Sequence, residues 1–330
     1  MGTIIPKTGK ACTERTQHAR QSLGPYDPVS ICERDLSPER RRDPSSRRHR
    51  SPEHRRRGGL TMEDFHSAYG PWALVTGASS GIGREFARAL VDRGLDLVLA
   101  ARRIDRLESL ADELTRSSGV SVRPVQVDLS RPDGVQRLDE ATSDLEVGLA
   151  VSNAGAIIPG SFLHPSAETQ AEFVQLNATT PMQISHLFGG RMAERGRGGI
   201  VLVSSTSAFN GVPYLANYAA VKAYQLVLGE ALHTEFAAKG VDLLVLAPGP
   251  TRTEMADTEG IDFAQLPMKW MSPEDVVAAA LRALGRKAVV VPGATNRVMR
   301  LLTTRVMPRR ASVALWGSMM RRAADDALIP

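Results

Sequence analysis

From residue 72 to residue 291 the sequence alternates two kinds of segment with little between them. Short, nearly continuous runs of Val, Leu, Ile and Ala recur at 72–76 (WALVT), 95–100 (LDLVLA), 120–127 (VSVRPVQV), 146–152 (EVGLAVS), 199–205 (GIVLVSS), 241–248 (VDLLVLAP) and 288–291 (AVVV). Segments of helical period lie between them, at 82–93, 103–115, 132–142, from near 167 onward, 218–238 and 273–284. A strand that is apolar on both faces has to be covered on both faces, and parallel neighbours need a crossover long enough to hold a helix. The pattern therefore predicts an α/β fold: a doubly wound, seven-stranded parallel sheet with helices on either side. In such a sheet a ligand sits beyond the carboxyl ends of the strands.

The charge of the chain does not belong to this region. The formal net charge is +5, but residues 1–60 hold 14 Lys+Arg against 7 Asp+Glu, which leaves 27 against 29 for residues 61–330. A basic arm is thus joined to a slightly acidic body, and the body gives no sign of a nucleic-acid surface. Residues 36–59, LSPERRRDPSSRRHRSPEHRRRGG, carry no hydrophobic period and too little apolar surface to offset the entropy of ordering, so residues 1–61 are expected to be a disordered arm. The arm reads either as a nucleic-acid- or phosphoprotein-binding tail or as a solvated or upstream stretch ahead of a start at Met62. Both cysteines, Cys12 and Cys32, lie in it, so the body can use no disulfide, thiol nucleophile or cysteine-bound metal. No apolar run of membrane-spanning length occurs and the first 30 residues lack a secretory apolar core, from which a soluble, cytoplasmic protein is expected.

The chemistry begins at the end of the first apolar run. TGASSGIG, residues 76–83, lies between a predicted strand and a predicted helix, where Gly77, Gly81 and Gly83 let the backbone approach a pyrophosphate, and where Ser79, Ser80 and Ile82 flank the helix amides that would meet it. The second strand ends in Ala101, Arg102 and Arg103. A carboxylate at that place would accept from the ribose hydroxyls of NAD, whereas two guanidinium groups suit the 2′-phosphate of NADP(H). Cations at a helix start are unfavourable in themselves, which a bound anion would explain. Asp128 and Leu129 follow the third strand; Asp128 suits the adenine amino group or a helix cap. Asn153, Ala154 and Gly155 follow the fourth, where the chain must bend under a cofactor.

YAAVK, residues 218–222, puts a phenol and an ammonium four residues apart on one helix face. A cation beside Tyr218 favours phenolate and is expected to lower its pKa toward working pH, the condition for a general acid/base. Thirteen residues earlier, Ser205 ends the fifth strand with a hydroxyl able to donate to a carbonyl oxygen.

With these residues in hand, the chain resembles the classical short-chain dehydrogenases/reductases over residues 72–292. TGASSGIG matches the TGxxxGxG loop, and NAG (153–155) the NNAG motif with Ser152 for its first Asn. Asn177 matches the helix asparagine, Ser205, Tyr218 and Lys222 the Ser-Tyr-Lys set, and PGPTRT (248–253) the PGxxxT motif. The resemblance implies a Rossmann-like fold and interconversion of a ketone and a secondary alcohol by hydride transfer, with no metal. It assigns the substrate proton to Tyr218, the substrate oxygen to Ser205, the nicotinamide ribose and the tyrosine pKa to Lys222, and support of Lys222 through a water to Asn177. Pro248, Gly249, Thr251 and Thr253 would approach the nicotinamide amide. A complete proton-transfer set argues against the alternative of a non-catalytic cofactor sensor on the same fold. A homo-oligomer is also expected.

The loop after PGPTRT and the chain after the fifth strand supply the expected substrate pocket: Phe209, Val212, Pro213, Tyr214, Met255, Phe263, Leu266, Met268, Trp270 and Met271. These apolar, deformable side chains suit a lipophilic ketone or acyl chain over a sugar, or else belong to the core. The chain's order also resembles that of 3-oxoacyl and hydroxysteroid reductases, which implies a 3-oxoacyl or steroid-like ketone. Residues 293–330 are expected to be a helical appendage outside the sheet. Its seven arginines among apolar residues suit a cap over the pocket, a subunit contact, or contact with an anionic membrane surface.

Overall fold

The computed structural model describes residues 61–257 and 269–323. Its first element was not expected: helix α1 (Met62–Tyr69), capped by the Thr61 hydroxyl, which accepts from the Asp64 amide at 3.1 Å. Only Phe65, Ala68 and Tyr69 of it are buried, too few for a periodic signal. Tyr69 lies beneath the sheet with its ring edge-on to Phe65, and its phenol donates to Asp242 at 2.7 Å.

The strands then alternate with helices: β1 (Trp72–Thr76), α2 (Gly81–Val91), β2 (Asp96–Ala101), α3 (Ile104–Ser118), β3 (Val122–Gln126), α4 (Gly134–Glu140) and β4 (Val147–Ser152). After these come α5 (Ala167–Val174) and α6 (Thr180–Arg195), joined by a π-helical turn, Gln175–Thr179. β5 (Gly198–Val203), α7 (Ala216–Ala237), β6 (Val241–Leu246), α8 (Pro273–Ala283) and the two-residue β7 (Val289–Val290) complete the alternation. Outside the sheet follow α9 (Ala294–Leu301), a second π-helical turn (Leu302–Val306) and α10 (Arg309–Ala323). No described helix is long and apolar enough to cross a membrane.

The seven strands are all parallel, in the order β3-β2-β1-β4-β5-β6-β7, as the apolar runs predicted. Side chains alternate between two layers. Val75, Leu97, Leu99 and Leu244 face one core with Phe86, Leu90, Leu107 and Val276, while Leu74, Val98, Ile200 and Val245 face the other with Leu138, Ile184, Phe188 and Leu226. Every residue of β4 and β5 is buried, which is why these strands carry no polar alternation. The strand order reverses between β1 and β4, so the crevice at their carboxyl ends is the topological switch point.

Candidate active site

A cavity of about 530 Å³ opens at that crevice. Of the residues singled out in the sequence, Gly77, Ser79, Ser80, Gly81, Ile82, Arg102, Arg103, Asp128, Leu129, Asn153, Ala154, Gly155, Ser205, Tyr218, Lys222, Pro248, Gly249, Thr251 and Thr253 line it. Asn177 and Gly83 lie immediately behind this lining.

The glycine loop is held open by its neighbour across the switch point. Asn153 donates through Nδ2 to the Thr76 carbonyl at 3.0 Å, and the Thr76 hydroxyl accepts from the amides of Asn153 and Ala154, both at 3.0 Å. A Cβ on Gly83 would stand 2.3 Å from the Gly77 carbonyl oxygen, and one on Gly77, whose φ is +65°, would stand 2.8 Å from Asn153 Nδ2. The loop therefore tolerates only glycine at these two places. The N-cap residue of α2, Ser80, makes no side-chain bond to the helix amides, so that helix end is left to bind an anion from the cavity. A glycine cradle, an uncapped helix start and flanking arginines fit a dinucleotide.

The two arginines differ in availability. Arg103 donates to the hydroxyls of Ser79 and Ser80 at 3.0 and 3.1 Å and pairs with Glu254 at 2.9 Å, an anion that sequence reasoning passed over. The hydrogen bond from Arg103 holds the Glu254 carboxyl below its ordinary pKa. Arg102 is exposed at the rim and its guanidinium makes no hydrogen bond among the described residues. Asp128 accepts from the Ser130 amide and hydroxyl through the same oxygen, at 3.0 and 2.7 Å, so it shapes its own loop as well as facing the cavity.

At the other end of the cavity the two serines after β5 separate cleanly. Ser204 donates to the Lys222 carbonyl at 2.8 Å, a tie between strand and helix. Ser205 begins the short turn Thr206–Phe209, accepts from the Ser207 amide at 3.1 Å, donates to the Ser207 hydroxyl at 3.2 Å and lies close enough to the Tyr218 phenol to lower its pKa. Lys222 is 4% exposed; its ammonium donates to the Val203 carbonyl at 2.9 Å and lies 5.7 Å from the centre of the Tyr218 ring. Burial lowers its pKa to about 8. The tyrosine departs from expectation: burial pushes its phenol up, and the Ser205 hydroxyl offsets this only in part. With Lys222 directed at a carbonyl and itself easily discharged, desolvation of the phenol outweighs the lysine's field.

Asn177 is fully buried in the π-helical turn. Its side chain accepts from the Ala156 amide at 3.3 Å and donates to the Phe173 carbonyl at 3.1 Å, and a Cβ on Gly155 would meet its Oδ1 at 2.9 Å. Sequence reasoning missed the residue that joins it to the lysine. Gln225, 1% exposed, donates to the Asn177 carbonyl at 2.6 Å and accepts from Lys222 Nζ at 3.5 Å. Its position three residues after Lys222 on the same helix face was the available signal.

The expected substrate wall holds in part. Val212, Met255 and Trp270 line the cavity. Phe209 packs instead against the core of Phe188 and Leu226, and Met271 against the core on the other face of the sheet; Pro213 and Tyr214 line a separate surface hollow, and Phe263, Leu266 and Met268 lie outside the described residues. Ile157, Leu215 and, from the appendage, Trp316 and Met320 take the places these leave.

The short chain dehydrogenase family model matches residues 71–262. The chain belongs to the short-chain dehydrogenase/reductase family. It is therefore an oxidoreductase of the dehydrogenase class acting on a small molecule, in a family that uses NAD(P). Among members of this family it is 32% identical to a 7β-hydroxysteroid dehydrogenase of Clostridium sardiniense over 79% of this chain and 100% of that one. A solved structure of a 7β-hydroxysteroid dehydrogenase covers 76% of this chain and 98% of its own at 26% identity, with a TM-score of 0.71. A short-chain dehydrogenase from Sphingobium yanoikuyae, solved in complex with NADPH, is 34% identical, covers 68% of this chain and 87% of its own, and has a TM-score of 0.62.

Proposed function

We propose that the chain is an NADPH-dependent carbonyl reductase of bulky lipophilic ketones, with Ser205, Tyr218 and Lys222 as its proton-transfer set and a steroid-like molecule as the substrate class. The observation that carries this reading is the convergence of the three side chains at a cavity beside an apolar patch of wall made by Ile157, Val212, Leu215, Trp316 and Met320. The likeness to hydroxysteroid dehydrogenases supports the same substrate class. Arg102, free at the rim, supports NADPH over NADH.

NADPH supplies the hydride when bound, and the chain's own residues manage the proton. Ser205 donates to the ketone oxygen and holds it within reach of the Tyr218 phenol. Burial keeps that phenol protonated, which is the form reduction consumes. As negative charge moves onto the ketone oxygen, Tyr218 transfers its proton there, and the phenolate it leaves is stabilised by the Lys222 ammonium. Gln225 and the Val203 carbonyl fix where that ammonium stands. In domain terms, residues 62–292 form the catalytic unit and 293–330 an appendage that completes the pocket.

The test is NADPH oxidation with a panel of ketones graded by size and polarity, repeated with NADH. Steroid-type ketones should turn over with NADPH and sugars should not. Turnover confined to small polar ketones, or indifference to the cofactor's 2′-phosphate, would refute the reading.

A further inference from the structure

The first helix of the appendage turns apolar side chains outward, whereas α10 buries its own. Along α9 and the π-helical turn after it, the two fully buried residues are polar, Asn296 and Thr303, 2% and 3% exposed, with Met299 packing inward between them. Thr303 donates to the Met299 carbonyl at 2.9 Å and accepts from Asn210 at 3.1 Å, and the Asn296 amide donates to the Pro292 carbonyl at 2.9 Å while its Oδ1 is buried without a partner among the described residues. On the outward face stand Val298, Leu301, Leu302 and Val306, between 42% and 66% exposed. Their spacing puts them on one stripe opposite the buried pair. A helix on a water-facing surface shows the reverse arrangement, so this stripe is made to be covered.

The charge around it says by what. Between Gly293 and Ala323 the sequence carries seven arginines, from Arg297 to Arg322, and no Asp or Glu. All seven are exposed, and none is in an ion pair among the described residues. A second copy docking through this same face would set arginine against arginine with no acid between them. An apolar stripe framed by cations matches instead the boundary of an anionic bilayer, where the apolar side chains enter the acyl region and the guanidinium groups meet phosphate and carboxylate headgroups. We infer that α9 and the turn after it dock on an anionic lipid surface.

The experiment is co-sedimentation of the full chain with vesicles of phosphatidylcholine alone and of phosphatidylcholine with phosphatidylserine, over a range of NaCl. The comparison is with the double variant Leu301→Glu/Leu302→Glu and the milder Val298→Ser/Val306→Ser. The chain should bind the phosphatidylserine vesicles and be released by salt, and the glutamate pair should weaken binding by about tenfold or more, the serine pair by less. Titration with NADPH should be the same for all three, since these side chains lie outside the cavity. Equal binding by parent and variants would assign the interaction to the basic residues 36–59 and overturn the inference, as would no binding at all. A change in sedimenting mass in solution without a change in vesicle binding would give the stripe to a second copy and also overturn it.

Discussion

The side-chain amide of Gln225 donates to the backbone carbonyl of Asn177 at 2.6 Å, joining the middle of α7 to the π-helical turn between α5 and α6. Its other end accepts from Lys222. A buried ammonium therefore has two neutral oxygen acceptors, from Val203 and Gln225, and among the described residues no carboxylate pairs with it.

The pH dependence follows from that. Lys222 has a folded pKa of about 8, below its ordinary value, so it is a cation below that pH and neutral above it. Reduction needs the cation to stabilise the phenolate that Tyr218 leaves, and kcat/KM for reduction should fall as pH rises through about 8. Gln225→Leu removes an acceptor and should move this limb to lower pH, whereas Gln225→Glu adds an anion and should move it to higher pH. A merely structural role would change the height of the profile and leave its midpoint in place. The same depression implies linkage: between about 8 and the unfolded value the unfolded chain binds the extra proton, so this group's contribution to stability rises with pH across that window.

Tyr218→Phe keeps the ring and removes the acid. Cofactor binding should survive while turnover falls by about 10² to 10⁴, the usual range for general acid/base catalysis. Ser205→Ala should lose turnover by about 10² to 10³, as for an oxyanion donor, and Ser204→Ala much less, because that hydroxyl serves the α7 backbone. Single-turnover kinetics with one accepted ketone would separate the three variants, and near-parental turnover in Tyr218→Phe would remove the tyrosine from the proposed mechanism.

On the proposed reading, cofactor choice rests on the rim. Arg102→Ala should weaken NADPH binding by about 1.5 to 3 kcal/mol, the worth of a hydrogen bond to a charged group, and leave NADH nearly unchanged. Arg103→Ala should weaken both, because that side chain also positions Ser79 and Ser80 in the loop. Fluorescence titration with each nucleotide reads both effects.

The catalytic unit should fold without residues 1–60 but not without α1. A chain beginning at Thr61 keeps the cap and the buried Phe65 and Tyr69. One beginning at Trp72 leaves bare the hollow over Gly199, where Tyr69 packs so closely that a Cβ would come within 2.9 Å of its ring. Tyr69→Ala in the full chain should cost about 3 to 5 kcal/mol, as for other large aromatic residues removed from a core. Thermal unfolding followed by circular dichroism measures all three.

Most of this architecture could be read from residue order, because a parallel sheet buried on both sides leaves near-continuous apolar runs such as those of β4 and β5. The candidate proton-transfer set was legible for a related reason: Tyr218 and Lys222 share one helix face, Ser205 ends a strand, and the structure brings all three to one cavity. What escaped were contacts between elements distant in sequence. Gln225 looks like any helix glutamine until the π-helical turn presents the Asn177 carbonyl to it, and Glu254 gains its meaning from Arg103, 151 residues earlier. Phe209 was assigned to the wrong wall because an apolar residue after a strand can turn either to the pocket or to the core, and only the turn Thr206–Phe209 decides which. The tyrosine's raised pKa was missed because spacing tells that two charges are near, not how far water is kept from them.

Trp316 and Met320, which close the pocket, come from α10, whereas the glycine loop and the Ser-Tyr-Lys set all lie before Thr253. A chain emerges from the ribosome N-terminus first, so the reactive end can be assembled while its outer wall is still unmade. The division is also one of heredity: changes confined to α10 can alter which molecules enter the pocket while leaving untouched the groups that would react with them.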